Sequence, residues 1–224
     1  MTTNTELHDR LAGLGTSTIS DALDKLRIHG QCLGLAPLAP TMKLVGVAFT
    51  IRYVPVGARG GSVGDFIDDL EPGQVPVLDN AGRLDATVWG DLLTATAHQR
   101  GIPGTVIDGV CRDTDLARGL NYPIFSRGAW MRTGKDRVRA EAYQQPISIG
   151  GVTVEPGDLL VGDADGVLAV PADRADEVGQ LATAIGAAED RIREAVRNGS
   201  TLAQARADHG YHALQSVTTA QAED

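Results

Sequence analysis

The spacing of apolar residues changes several times along the chain, and each change predicts a different element. From Ile19 to Leu26, apolar residues recur at i, i+3, i+4 and i+7, which predicts a helix that ends at Gly30. Helical patterns follow at 66–70, 90–100 and 113–120, and strand patterns at 44–54, 75–78, 105–107 and 123–125. This alternation predicts an α/β fold with some parallel strand pairing.

The pattern changes again after about residue 138. Short strands separated by turn residues predict a β-meander over 147–149, 152–154, 159–161 and 167–170. Asp163–Gly166 (DADG) lacks the later ligands of a calcium loop, and Asp-Gly is a strong hairpin signal, so we interpret it as a turn. An alanine-rich amphipathic helix then covers 172–197. We therefore predict a core domain at 1–171 and a C-terminal helical arm at 172–224.

The composition is ordinary for a soluble domain. Of the 224 residues, 42% are hydrophobic and 22% charged, which is enough to build one well-buried core. The net charge of −9, without a basic cluster, argues against nucleic-acid binding, because that binding depends on phosphate contacts. No apolar run reaches the roughly 18 residues of a membrane span, and the N-terminus lacks a secretory signal. We expect a cytoplasmic protein with no membrane partner.

The candidate chemistry lies between Gly90 and Asp113. Asp91 stands at the start of a predicted helix, and Arg112 and Asp113 follow the next predicted strand. If the helix packs back on its strand, both ends of the segment meet around one pocket. Each residue also has a purely structural interpretation, because Asp91 suits a first helical turn, Asp113 suits a helix cap and Arg112 suits a solvated surface.

These groups suit a divalent metal and a small anionic substrate. Mg²⁺ or Mn²⁺ prefers oxygen ligands and keeps several waters, so one or two carboxylates suffice. An arginine can stabilise an oxyanion, and the N–H groups at a helix start can bind a carboxylate. Together they could cleave a C–C bond beside a 2-keto acid. A Schiff-base mechanism is not favoured, because Lys25, Lys43 and Lys135 all lie outside this segment.

Three further features bear on the site. The glycine-dense segment 57–64 is interpreted as a flexible turn, with a loop that closes over a ligand as the alternative. Cys111 is either a small buried residue or a thiol activated by the neighbouring Arg112. The polar segment 126–145, which carries Trp130, is expected to shape the mouth of the site.

Two motifs together resemble a known family. Gly90-Asp91-Leu92-Leu93 is followed after 18 residues by Arg112-Asp113, and the segment 149–171 reads IGGVTVEPGDLLVGDADGVLAVP. This combination resembles the RraA-like family, which contains 4-hydroxy-4-methyl-2-oxoglutarate aldolases and the regulator of ribonuclease activity A. The likeness covers about residues 15–200. It implies a swivelling β/β/α domain assembled as a homotrimer or a homohexamer, with active sites at subunit interfaces.

The resemblance also implies roles for individual residues and a metal, Mg²⁺ or Mn²⁺. Asp113 corresponds to the metal ligand, Arg112 to the arginine that faces the substrate oxygens, and Asp91 to the residue that positions a catalytic water. Gly90 and the backbone N–H groups of Leu92 and Leu93 belong to the substrate-binding motif that holds the pyruvyl carboxylate. A glutamate from the C-terminal helix of a neighbouring subunit completes the site, with Glu189 as the first match and Glu194 as the second.

Two functions follow from the resemblance. The first is a metal-dependent pyruvate aldolase that acts on a small 2-keto acid and also decarboxylates oxaloacetate. The second is a non-catalytic regulator that binds an enzyme of RNA degradation. The chain continues for 53 residues beyond Pro171 with acidic residues on the arm, which favours the enzyme. An apolar face on that arm would equally serve the packing of a trimer.

Overall fold

The computed structural model describes residues 4–57 and 61–211 of the chain, so the end of the predicted arm lies outside the described residues. The helices are α1 (Asn4–Ala12), α2 (Thr16–Lys25), α3 (Asp91–Gln99), α4 (Thr114–Gly119), α5 (Ala175–Arg197) and α6 (Leu202–Asp208). Short 3₁₀ helices cover Asp65–Asp69 and Ala172–Arg174. The strands are β1 (Ala36–Pro37), β2 (Leu44–Pro55), β3 (Gln74–Thr87), β4 (Thr105–Cys111), β5 (Ile124–Ala129), β6 (Val138–Tyr143), β7 (Ile147–Ile149), β8 (Val152–Val154), β9 (Leu159–Asp163) and β10 (Gly166–Val170).

Eight of these strands form one mixed sheet. Seven follow the order β1-β5-β4-β3-β2-β9-β10, and β6 pairs with the C-terminal part of β2. The neighbours from β2 to β5 are parallel, and α3 and α4 supply two of the crossovers that parallel pairing requires. The predicted α/β fold is confirmed.

Strand β3 is much longer than the predicted segment 75–78. Ala81 and Gly82 have positive φ angles of 53° and 67°, and the pairing with β4 jumps from Asp79 opposite Asp108 to Arg83 opposite Gly109. The polar sequence at this bulge has the composition of a turn. For this reason the second half of the strand was not predicted. Because β3 continues, its end lies beside the end of β4.

The predicted β-meander is two separate hairpins. β7 and β8 form a two-stranded sheet of their own, whereas β9 and β10 join the main sheet through β2. Asp163 pairs with Gly166, so DADG is the hairpin turn that the sequence predicts. Strand β6 was not predicted, because its VRAEAY sequence carries charged residues and only Val138 of it is buried.

Side-chain alternation divides the core of residues 30–172 between the two faces of the sheet. Leu78 and Ile107 belong to a cluster that also contains buried residues of α3 and α4. Their neighbours Val77 and Val106 belong to a second cluster, which contains the β7–β8 hairpin. One face of the sheet is therefore covered by helices and the other by a hairpin.

The helices outside this unit form a second one. The chain divides by its contacts into residues 30–172 and a unit made of 1–29 with 173–224. Within the second unit, α1, α2 and α6 all pack on α5, and Ile19, Leu23 and Ile185 are fully buried. The division differs from the predicted one, which placed the N-terminal helices with the core, because apolar faces of α1 and α2 match that of α5. No helix among the described residues has the length and apolarity of a membrane span.

Candidate active site

The two halves of the sequence motif follow adjacent parallel strands. Gly90 and α3 come after β3, and Arg112 and Asp113 come directly after β4. Parallel neighbours end at the same edge of a sheet, which is where α/β proteins commonly bind ligands. The backbone N–H of Arg112 donates to the Trp89 carbonyl at 2.9 Å. This hydrogen bond links the segment that follows β3 to the segment that follows β4.

One oxygen atom, Oδ2 of Asp113, joins the parts of the motif. It accepts a hydrogen bond from the backbone N–H of Asp91 at 3.3 Å. The Nε atom of Arg112 lies 3.3 Å from the same oxygen. About two-fifths of each side chain, 40% for Arg112 and 39% for Asp113, stays accessible. The structure thus brings Asp91, Arg112 and Asp113 together.

Gly90 is required for space rather than for its backbone freedom. Its φ and ψ of −148° and −165° are extended and open to any residue. A Cβ atom placed there would lie 2.9 Å from Oδ2 of Asp113 and 3.2 Å from Nε of Arg112. The absence of a side chain therefore allows the carboxylate and guanidinium to lie against the start of α3.

Asp113 has a left-handed backbone, with φ 57° and ψ 37°. Among residues with a side chain, Asp and Asn tolerate this region best. The residue precedes α4 without capping it through its side chain. The structural interpretation of Asp113 as a helix cap is therefore wrong, and its carboxylate points to Asp91 and Arg112 instead.

Asp91 uses its side chain on its own helix. Its Oδ1 atom accepts the N–H of Leu92 at 2.9 Å. This agrees with the structural interpretation, and it also shows a carboxylate oxygen bound by one of the two amides assigned to the pyruvyl carboxylate. The first N–H groups of a helix have no intrahelical partner, so the Leu93 N–H is open to a second oxygen.

The start of α3 is held by a buried relay that the sequence did not reveal. The indole N–H of Trp89 donates to Oγ1 of Thr94 at 2.9 Å, and that hydroxyl donates to the Gly90 carbonyl at 3.0 Å. Trp89 and Thr94 are only 2% and 1% exposed, and the Trp89 ring stacks parallel to Tyr122. A Trp or Thr alone carries no sequence signal for this role.

Two concave surfaces meet at Asp91. A cavity of about 440 Å³ lies on one side of Asp91. It is lined by residues 62–68 without the buried Phe66, by residues 87–93, and by Thr96, Arg112 and Thr133. A shallower depression of about 490 Å³ is lined by Asp91 and by residues 113–116. The first can enclose a small organic acid, and the second presents the carboxylates of Asp91, Asp113 and Asp115.

The donor set fits a hard divalent cation. All three carboxylates offer oxygen, and Mg²⁺ or Mn²⁺ is commonly held by one or two such groups with waters in the other positions. Within residues 4–57 and 61–211, no group of three or more His, Cys, Asp or Glu side chains is close enough to form a full protein cage. The chemistry of the site therefore suits a partly hydrated ion at Asp113.

The glutamates of the arm lie on α5. Glu189 pairs with Arg193 at 2.9 Å, and Glu194 pairs with Arg197 at 3.2 Å. Their side chains are 20% and 59% exposed, respectively. The assignment of one of them to a neighbouring subunit's site stays a prediction.

Cys111 is a buried residue and not an activated thiol. Its side chain is fully buried at the end of β4. Burial raises the pKa of the thiol, and the hydrogen bond with Ser126 lowers it by less. The neighbouring Arg112 directs its guanidinium to Asp113 instead. Burial and the raised pKa therefore favour the interpretation of Cys111 as a small buried residue.

Two segments flank the motif. Ser62, Val63 and Gly64 line the 440 Å³ cavity, so this end of the glycine-dense segment is part of the site, whereas residues 58–60 lie outside the described part. From the 126–145 segment, Thr133 lines the same cavity, and Trp130 and Met131 border a further depression beside Arg112 and Asp113. The 3₁₀ helix at Asp65–Asp69 was predicted as a helical turn, but nothing in its sequence indicated a place at the site.

Comparison with known proteins identifies a family for this chain. Residues 16–169 match the RraA-like family, described as Aldolase/RraA. The chain is 35% identical over 190 residues to a protein of Halalkalibacterium halodurans provisionally named 4-hydroxy-4-methyl-2-oxoglutarate aldolase, covering 84% of this chain and 87% of that one. It is 44% identical over 208 residues to the protein DlpA of Legionella pneumophila, covering 92% of this chain. It spans only 34% of the length of DlpA.

A solved structure supports the same relationship. RraAS2 of Streptomyces coelicolor, described as an unusual member of the RNase ES inhibitor RraA protein family, superposes with a TM-score of 0.77. The two chains are 27% identical, and the match covers 89% of this chain and 99% of that one. The family match extends over the sheet and the whole Gly90–Asp113 motif. This chain is a member of the RraA-like (Aldolase/RraA) family.

Proposed function

We propose that the chain is a divalent-metal-dependent pyruvate aldolase. It cleaves 4-hydroxy-4-methyl-2-oxoglutarate or a related 4-hydroxy-2-keto acid, and it decarboxylates oxaloacetate as well. The observation that carries this proposal is the meeting of Asp91, Arg112 and Asp113 at one carboxylate oxygen, beside a cavity of suitable size. The provisional aldolase name of a relative at 35% identity supports it.

The cleavage breaks the bond between C3 and C4 of the acid. A base takes the proton of the C4 hydroxyl, the C4 fragment leaves as an aldehyde or ketone, and the bond's electron pair moves into the C2 carbonyl as pyruvate enolate. Protonation at C3 then gives pyruvate. In oxaloacetate the same bond breaks with loss of CO₂. We assign Asp91 to hold the water that carries the proton.

Arg112 and the start of α3 bind the pyruvyl part. We assign the guanidinium of Arg112 to the C2 oxygen, where a charge-assisted hydrogen bond strengthens as negative charge develops. We assign the amides of Leu92 and Leu93 to the carboxylate, which would replace the Asp91 oxygen that the Leu92 N–H binds in this structure. Asp113 would hold the divalent metal, which would supply Lewis-acid polarisation of the keto oxygen.

We infer that the complete site needs a second subunit. In this proposal the chain forms a homotrimer or homohexamer, and Glu189 of one subunit acts at the site of its neighbour. The resemblance ranks Glu189 first and Glu194 second, and each glutamate pairs with an arginine one turn along α5. The proposal places the protein in the cytoplasm, without a nucleic-acid partner.

A second candidate function is the regulator. The description of RraAS2 as a member of an RNase inhibitor family supports this alternative. In that case the exposed surface around Trp130 and Met131 is the first place to look for contact with an RNA-degradation enzyme. The fold alone does not distinguish the two functions.

The deciding experiment measures pyruvate release from 4-hydroxy-4-methyl-2-oxoglutarate and from oxaloacetate. The assay is run with Mg²⁺, with Mn²⁺ and with a chelator, on the wild type and on Asp113→Asn. Asn tolerates the left-handed backbone of Asp113, so this variant removes the charge without straining the chain. We expect metal-dependent turnover that falls by at least about 100-fold in Asp113→Asn.

Asp136→Asn is the matched control. Asp136 also has a left-handed backbone, with φ 64°, but it does not line the cavity or the depression at Asp91. Its activity should equal that of the wild type. A folded, metal-loaded wild type that releases no pyruvate from either acid would contradict the aldolase and favour the regulator.

A further inference from the structure

One wall of the 440 Å³ cavity is bound to the sheet by two successive backbone carbonyls. Ser62, Val63 and Gly64 form this wall, and they line the cavity together with the first residues of α3. The backbone N–H of Ala140, in β6, donates to the Ser62 carbonyl at 2.9 Å. The phenol O–H of Tyr53, in β2, donates to the Val63 carbonyl at 2.5 Å. The position of the 62–64 wall is therefore set by the β2–β6 pair.

The pairing of β2 with β6 is irregular at the residues that bind the wall. Arg52 lies opposite Ala142, whereas Tyr53 lies opposite Ala140, so Glu141 is the extra residue of a bulge. Bulges change the direction of the side chains beside them, and they are frequent next to active sites. The irregularity thus coincides with the two groups that hold the 62–64 wall.

The Tyr53 hydroxyl is a buried donor. Tyr53 is 4% exposed and belongs to the same apolar cluster as Phe66 and Ile67, which follow the wall in the sequence. Burial raises the pKa of the phenol well above its ordinary value, so the hydroxyl stays protonated and continues to donate at neutral pH. Loss of the hydroxyl would remove one hold on the wall, while the ring would keep its packing.

The wall contacts the substrate-binding motif through Gly64. A Cβ atom at Gly64 would lie 3.0 Å from a methyl carbon of Leu93, so the backbone of the wall packs directly on that side chain. The far end of the same segment is held separately, because the side chain of Arg100 donates to two carbonyls within residues 68–70 at 3.1 and 2.8 Å. Loss of the Tyr53 hydroxyl should therefore loosen the wall locally and leave the rest of the segment in place.

We propose that Tyr53 is a positioning residue of the substrate site, because its hydroxyl fixes the 62–64 wall against the start of α3. This inference rests on the proposed aldolase function. The groups assigned to the chemistry are held by contacts of their own, since Oδ2 of Asp113 binds Arg112 and the Asp91 N–H. The wall therefore contributes binding that is equal for the substrate and the transition state. Such binding changes KM and leaves kcat unaltered.

Tyr53→Phe tests the proposal, because it removes the hydroxyl and keeps the ring. With the full chain in its metal-loaded form, the KM for 4-hydroxy-4-methyl-2-oxoglutarate should rise by about fivefold to tenfold, while kcat stays within about twofold of the wild type. In the absence of substrate, the backbone amides of residues 62–67 should exchange their hydrogens faster by about tenfold. This second measurement does not depend on turnover.

Tyr122→Phe is the matched control. Tyr122 is 2% exposed and lies in the same apolar cluster, and its hydroxyl shares a hydrogen bond of 2.8 Å with Oγ1 of Thr105. Neither of these two described residues lines the cavity, and the phenyl ring of the variant keeps its stacking on Trp89. The variant loses the same group from the same core, so both KM and the exchange at 62–67 should stay within about twofold of the wild type.

Each outcome has a separate meaning. A rise in KM and in exchange that is confined to Tyr53→Phe supports the positioning role. An unchanged KM in Tyr53→Phe, or an equal rise in Tyr122→Phe, overturns that role and leaves the aldolase intact. A folded, metal-loaded wild type that releases no pyruvate overturns the proposed function and the positioning role with it.

Discussion

At the scale of single residues, the site depends on very short distances around Gly90. Oδ2 of Asp113 and Nε of Arg112 occupy the space that any other side chain at position 90 would need. The resemblance predicts roles for the motif residues, and those roles stay predictions. The reason for the glycine could not, because the clash joins residues more than 20 positions apart.

Gly90→Ala should therefore damage the site without unfolding the protein. The extended backbone of position 90 accepts alanine, so we expect the free energy of unfolding in urea to change by less than about 1 kcal/mol. The added methyl group displaces Asp113 and Arg112, and kcat/KM for pyruvate release should fall by about 10- to 100-fold.

Gly119→Ala gives the matched control for that substitution. A Cβ atom at Gly119, in α4, meets nothing within 4 Å, so neither stability nor turnover should decrease. Wild-type turnover in Gly90→Ala would show that the close approach at position 90 does not matter to the chemistry.

At the scale of elements, α3 depends on the buried relay from Trp89 through Thr94 to Gly90. Thr94→Val keeps the shape of the side chain but leaves the indole N–H without its acceptor. An unpaired buried donor costs about 1–3 kcal/mol, so we expect the free energy of unfolding to fall by about that amount. The start of α3 should also loosen, which weakens Mn²⁺ binding at Asp113.

The conservative variant Thr94→Ser separates the hydrogen bond from the packing. It retains the hydroxyl that joins Trp89 to Gly90 and loses only a methyl group. Urea unfolding should place it between the wild type and Thr94→Val. Equal stability of the Ser and Val variants would refute the relay as the cause.

Helices and strands could be predicted where the apolar pattern of the sequence agrees with the burial of the residues in the structure. The helix over 90–100 was found from its spacing, and the strand at 105–107 was found from its apolar run, because β4 is buried on both faces of the sheet. The full length of β3 was not found, since its bulge at Ala81 and Gly82 has the composition of a turn. The prediction of a single β-meander was wrong, because the pairing of strands in a sheet depends on contacts between segments that are distant in the sequence.

At the scale of the whole molecule, the proposal requires that one site be shared by two subunits. Asp113→Asn and Glu189→Gln chains should each be inactive alone. If both chains are unfolded and refolded together in equal amounts, random assembly leaves both groups intact in about a quarter of the sites. We expect recovery of about that share of wild-type pyruvate release.

Glu194→Gln provides the comparison in the mixing experiment. It should be active by itself, because the proposal assigns Glu189 and not Glu194 to the neighbouring site. Full activity of Glu189→Gln alone, or no recovery in mixtures whose exchange is demonstrated by mass spectrometry, would remove Glu189 from the site.

The overall α/β architecture was within reach of the sequence, but the grouping of the helices was not. Nothing in the pattern of α1 and α2 indicates that their apolar faces match that of α5. The packing of these helices on one another depends on the shapes of their side chains. A pattern of apolar and polar positions does not contain that information.

The helical unit is built from segments that leave the ribosome at very different times. Lys25 ends α2 and Ala175 begins α5, so about 150 residues are synthesised between them, which takes roughly 8–30 s at usual rates. During that interval Ile19 and Leu23 have no α5 to cover them. Residues 30–172 form a continuous unit that can be completed first. The nascent chain therefore carries an uncovered apolar segment through most of its synthesis, and that segment is where we expect holding chaperones to bind.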